Sequence, residues 1–137
     1  LIKRLSEIGY ESVSGNGWRR QGDPFRFDIF RGLSIHTTGL LSSPLEEGNH
    51  VPFMEYSRLY IGILNDYDLI ASKLMRGTSV DLDDCAMLVV AHRDSIDMKR
   101  LIAHFNEMAS YDVMEERLKG NMTAFLSLLT DRGIHHE

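Results

Sequence analysis

The sequence predicts an α+β domain: a small mixed or antiparallel sheet in the first half, then a helical run towards the C-terminus. Three observations carry that expectation. Short strand-like stretches separated by glycine-rich turns fill residues 1–64. From Asn65 onward the apolar spacing switches to the helical period. Strands followed by helices, rather than alternating with them, is the order of an α+β chain. With 137 residues and no internal repeat or linker, a single domain is expected over 1–137, mainly strands through residue 64 and helical from 65 to 133.

Leu1, Leu5 and Ile8 lie at helical spacing and end at Gly9, as in the last turns of an amphipathic helix. Tyr10 to Val13 is strand-like, and Ser14-Gly15-Asn16-Gly17 turns the chain into a second strand over Trp18 to Gln21. Gly22-Asp23-Pro24 turns it again into a strand over Phe25 to Phe30, closed by Arg31-Gly32. Leu33 to Tyr56 reads as irregular, broken by Gly39, Pro44, Gly48 and Pro52, with a short strand at Leu33 to Thr37. Arg58 to Leu64 is a further strand. A helix then starts at the N-cap Asn65, with Asp68 three residues on, and stops at Arg76-Gly77. Three more helices are expected over about Asp81 to Ala91, Ile96 to Ala109 and Asp112 to Gly133. Their stripes are Leu82, Ala86, Val89 and Val90; Met98, Leu101, Ile102, Phe105 and Met108; and Met114, Leu118, Phe125 and Leu129.

Composition excludes several classes. No apolar run approaches the roughly 20 residues that span a bilayer, so no membrane partner is expected. No charged and apolar leader pattern precedes the first helix. Starting at Leu1, the chain reads as one numbered after a processed segment or as a piece of something longer. The single cysteine, Cys85, excludes an internal disulfide and a multi-cysteine zinc site, and a cytoplasmic location is the expectation. A net charge of −5 argues against a broad phosphate-tracking surface.

Phe25-Arg26-Phe27-Asp28-Ile29-Phe30 is the most informative stretch. Alternation puts Phe25, Phe27 and Ile29 on one face and Arg26, Asp28 and Phe30 on the other. Aspartate packs poorly on a pleated surface, so Asp28 is either a chemical group or an edge-strand carboxylate paired with Arg26 or Arg31.

The helix ending in Gly9-Tyr10, the strand Phe27-Asp28-Ile29, the helix Leu69-Ile70-Ala71-Ser72-Lys73-Leu74 and the start Asp81-Leu82-Asp83-Asp84 follow one another in an order that resembles the minimal nucleotidyltransferase families, including the abortive-infection toxin type. The resemblance covers most of residues 1–90. It implies a nucleotidyltransferase-like fold and metal-dependent transfer of a nucleotide from a nucleoside triphosphate to a hydroxyl on a protein or RNA acceptor. It implies that Asp28 is a catalytic carboxylate and magnesium ligand, and that Lys73 lies near the nucleotide phosphates. The family pattern also has a Gly-Ser or Gly-Gly turn and an Asp-x-Asp strand before the first helix, and this chain lacks both. Asp66-Tyr67-Asp68 and Asp81-Leu82-Asp83 lie at helix starts, where residues two apart point about 200° from one another and cannot share one ion. The chain is therefore expected to be incomplete or degenerate for catalysis. The alternative is a non-catalytic interaction module of the same fold, which a homodimer would suit.

The remaining candidates have structural readings beside the functional ones. Lys73 either solvates or pairs with Asp81 or Asp84, and those aspartates read as helix caps. Gly15 to Arg20 is either a hairpin with a packed Trp18 or a grip in which Trp18 stacks a base while Arg19 and Arg20 hold phosphate. His36, His50, His92, His104, His135 and His136 form no helical ligand pair, and Cys85 reads as a buried thiol. Met98, Met108, Met114 and Met122 read as core filling or a partner surface.

Overall fold

The structure, a computed structural model, describes residues 1–29, 33–35 and 38–134. The expected strand end at Phe30, the turn Arg31-Gly32, and His36, Thr37, His135 and His136 lie outside the described residues. The architecture is α+β, with small antiparallel sheets first and a C-terminal helical run after them.

Helix α1 (Ile2–Glu7) leads into a meander of β1 (Tyr10–Ser12), β2 (Gly17–Arg20) and β3 (Arg26–Asp28), all antiparallel in the order β1-β2-β3. Trp18 pairs with Ser12 on one side and Phe27 on the other. Trp18 and Leu5 are buried, while Phe27 packs edge-on to Tyr10 with centroids 5.3 Å apart. The third strand is shorter than the Phe25 to Phe30 expected, and Phe25 is exposed.

The stretch expected to be irregular holds two strands beyond the short one expected at Leu33 to Thr37, which corrects the sequence reading. After β4 (Ser34–Ile35) and β5 (Thr38–Gly39), β6 (His50–Tyr56) pairs with β7 (Leu59–Leu64) as a seven- and six-residue hairpin. In the sequence Pro52 reads as a breaker of any long element there. The register shifts between Pro52 and Met54, and a bulged strand with a free edge tolerates the missing N–H.

Helix α2 (Asp66–Arg76) keeps its expected bounds. Asn65 Oδ1 accepts from the Asp68 N–H, and Gly77 closes the helix at φ +67, where a side chain would be strained. Helix α3 (Ser79–Ala91) starts two residues earlier than expected because Thr78, not Asp81, is the N-cap. Asp81 is the third residue of a reciprocal capping box. Helix α4 (Met98–Ser110) starts after the N-cap Asp97. Helix α5 (Glu115–Asp131) starts later than Asp112, because the Asp112 carboxylate accepts from the Met114 N–H in a turn before the helix.

The main core lies among α2 to α5: Ile70, Leu74, Leu101, Phe105, Leu118, Phe125 and Leu129 are fully buried there. Met98, Met108 and Met122 join it, whereas Met114 and Val90, expected on core faces, are exposed. Leu5 and Trp18 lie outside that cluster. No helix among the described residues is long and apolar enough to cross a membrane.

Candidate functional site

Asp28 ends the edge strand β3, opposite Gly17 of β2. Its carboxylate is well exposed and lies 3.7 Å from the Arg26 guanidinium, a loose ion pair in open solvent. Arg26 also donates to the Ser14 carbonyl oxygen (3.2 Å). The edge-strand reading with an arginine partner thus describes what surrounds Asp28. Arg19 and Arg20 are exposed on the neighbouring strand. Arg20 is engaged, with Nε 2.9 Å from Asp23 Oδ2 and its guanidinium over the Tyr10 ring. Trp18 is buried in the small N-terminal cluster, so it offers no face on which a base could stack beside these arginines.

The α2–α3 hairpin gathers four charges. Lys73 Nζ lies 2.7 Å from Asp84 Oδ2, so of the pairings the sequence left open, the one with Asp84 is formed. One turn on, Arg76 Nη2 lies 2.5 Å from Asp81 Oδ1, and the Thr78 hydroxyl and N–H both donate to Asp81 Oδ2. Asp81 is buried; burial opposes its charge, but Arg76 and Thr78 outweigh it and hold the carboxyl below its usual value. Cys85 is fully buried on the same helix and its thiol is pushed up to about 12, first by burial, which leaves it unreactive.

The sequence did not single out the cleft beside α4. About 790 Å³ in volume, it lies between the 39–42 segment, Gly48-Asn49, the start of α2, and one face of α4. Arg100, His104 and Glu107 of α4 and Tyr111, its C-cap, line it at steps of four, three and four residues. Asp68, almost fully buried, is the fixed point of the floor. Its Oδ2 accepts from Asn65 Nδ2 (2.9 Å) and its Oδ1 lies 2.8 Å from His104 Nε2. A carboxylate only accepts, so Nε2 donates to Asp68. Tyr67 backs the wall: Arg100 lies over its ring at 4.5 Å, His104 meets it edge-on, and its hydroxyl accepts from the Asp97 N–H (3.0 Å). The signal the sequence carried was this polar stripe at helical spacing, opposite the apolar one that places α4 in the core.

Compared with known proteins, the chain matches no family model, no curated protein and no solved structure at a significant level.

The donor chemistry can be tested against the metal that the resemblance implies. A two-metal clamp needs several convergent carboxylates, whereas Asp28 stands beside a guanidinium. Among the described residues, no group of three His, Cys, Asp or Glu side chains is disposed to hold an ion. Asp68 and Asp81 have spent their oxygens on protein donors. The described residues do not fit a self-sufficient two-metal site.

Proposed function

We propose that this chain is a nucleotidyltransferase-like protein that binds a nucleoside triphosphate, and that its described residues stop short of a complete transfer site. The observation that carries the reading is the α2–α3 hairpin. The run Leu69 to Leu74, the left-handed Gly77 turn and the capped start at Asp81 to Asp84 occur in the order of the resemblance, with Lys73 and Arg76 reaching across to Asp84 and Asp81. Arg19 and Arg20 are further cationic groups on the surface. Magnesium enters this reading only with the triphosphate that carries it, since Asp28 stands beside Arg26 and no cluster of acids among the described residues faces it. Transfer to a protein or RNA hydroxyl then requires acidic groups beyond those described.

A second reading, a non-catalytic interaction module of the same scaffold, is favoured by one observation. The β6–β7 hairpin carries Val51, Phe53, Tyr56, Leu59 and Ile63 exposed, and a two-stranded hairpin with open apolar faces is marginal without a cover. Its partner could be a second copy.

Calorimetric titration with ATP, with and without magnesium, on the native protein and on Asp28→Asn separates these readings. The proposal predicts that ATP binds, that Asp28→Asn alters the affinity less than about twofold, as expected for an exposed ion-pair carboxylate, and that no label passes from the α-phosphate to added RNA. Transfer that Asp28→Asn abolishes would mean a complete active site. No ATP binding under any condition would leave the interaction module.

A further inference from the structure

We infer that the cleft on α4 is a seat for a ribonucleoside 5′-phosphate, with Arg100 at the phosphate, His104 and Glu107 at the sugar hydroxyls and Tyr111 against the base. This rests on the nucleotide reading above and gives the nucleotide a location away from Asp28.

Spacing sets the order of the groups in the cleft. Residues three and four apart stand one above another on a helix, about one 5.4 Å turn at each step. Cation, imidazole, carboxylate and aromatic ring therefore follow one another down the cleft wall at one-turn steps. Phosphate, ribose and base succeed one another along a nucleotide at similar steps. The volume of about 790 Å³ is in the range of small-molecule sites.

Chemistry assigns the ends. Lys73, Arg76, Arg20 and Arg132 each hold a carboxylate, whereas Arg100 pairs with none among the described residues and is laid on the Tyr67 ring. A guanidinium immobilised in that way keeps its forked donors for an oxyanion. It stands in the first turn of α4, where the helix dipole also favours negative charge. Glu107 lies two turns further, about 10 Å along the axis, near the screening length of physiological salt, so its charge weighs little at the phosphate end. In the middle, Asp68 orients the His104 ring through Nε2, and Nδ1, which has no hydrogen-bond partner among the described residues, is not sealed from solvent. An imidazole nitrogen one turn from an accepting carboxylate suits two neighbouring hydroxyls, which donate and accept alike, as the ribose diol does.

The test uses AMP, 2′,3′-dideoxy-AMP and ATP as probes, titrated into the native protein, Arg100→Gln, His104→Gln and, as an off-cleft charge control on the same helix, Lys99→Gln. Thermal melts by circular dichroism establish that each variant is folded. The native protein is expected to prefer AMP over the dideoxy analogue by about tenfold. Arg100→Gln should weaken AMP at least tenfold, His104→Gln should erase the preference for the diol, and Lys99→Gln should change neither by more than twofold. Equal binding of AMP and its dideoxy analogue by the native protein overturns the seat without needing any variant. So does ATP binding that is indifferent to Arg100→Gln, which leaves the nucleotide reading standing elsewhere on the surface. Failure to bind AMP and ATP alike removes both.

Discussion

Asp81 is the electrostatic anchor of the helical hairpin. One carboxylate serves the Thr78 cap and the Arg76 guanidinium while shielded from solvent. Its folded pKa lies below the usual 3.8, so its stabilisation is present in full above the unfolded carboxylate range and is lost as pH falls through the lower folded value. Asp81→Asn removes the charge that Arg76 needs and is expected to destabilise by about 2 kcal/mol at pH 7. Acid unfolding followed by circular dichroism checks it: the native protein should lose more stability than the variant as pH falls below 4, and parallel curves would refute the assignment. Single residues differed in how well the sequence exposed them. Asn65, Gly77 and Cys85 were legible because caps, left-handed turns and apolar helix faces depend on a few neighbours. Thr78 was missed because the nearby aspartates offered a competing cap. The Asp68–His104 contact joins residues 36 apart in the chain, and no local pattern announces such a pair.

At the scale of elements, the α2–α3 turn is the joint on which the Lys73–Asp84 and Arg76–Asp81 pairs depend. Gly77 closes α2 at φ +67, and a Cβ placed there would run into the Asn121 side chain of α5. Asn121 Nδ2 donates to the Leu74 carbonyl oxygen at 2.8 Å, one of the acceptors the end of α2 leaves free. Gly77→Ala therefore meets a left-handed backbone penalty of about 1 kcal/mol together with loss of the Asn121 tie, for a total near 2–3 kcal/mol. Urea denaturation monitored by far-ultraviolet circular dichroism, which reports the helical half, should show that drop, and a variant as stable as the native protein would contradict the joint described. Element type was read correctly for all four C-terminal helices, since a 3.6-residue apolar stripe over a dozen residues is a strong signal. The β6 strand was lost because Pro52 and Gly48 are read locally as breakers, while the partner strand β7 and the bulge that accommodate them are tertiary facts.

For the molecule as a whole, the apolar cluster of α2 to α5 holds the helical half, while the α1 to β3 unit relies on a small separate packing around Leu5 and Trp18. Chemistry is distributed in the same way. The carboxylate that drew attention in the sequence, Asp28, stands on the open edge of the N-terminal sheet, and the preorganised polar groups line the face of α4 turned towards the 39–49 segment. Alternation placed Asp28 on a strand but could not say whether other acids would face it. The fold decides that, and Arg26 is what it brings. Amide and imidazole NMR of the protein during titration with ATP tests the account most directly, because it locates the nucleotide rather than merely detecting it. The account predicts shifts concentrated at residues 39–42, Asn49, Arg100, His104, Glu107 and Tyr111, with His104 Nδ1 among the most affected. Shifts centred on Arg26, Asp28 and the β2 arginines, with α4 silent, would contradict it.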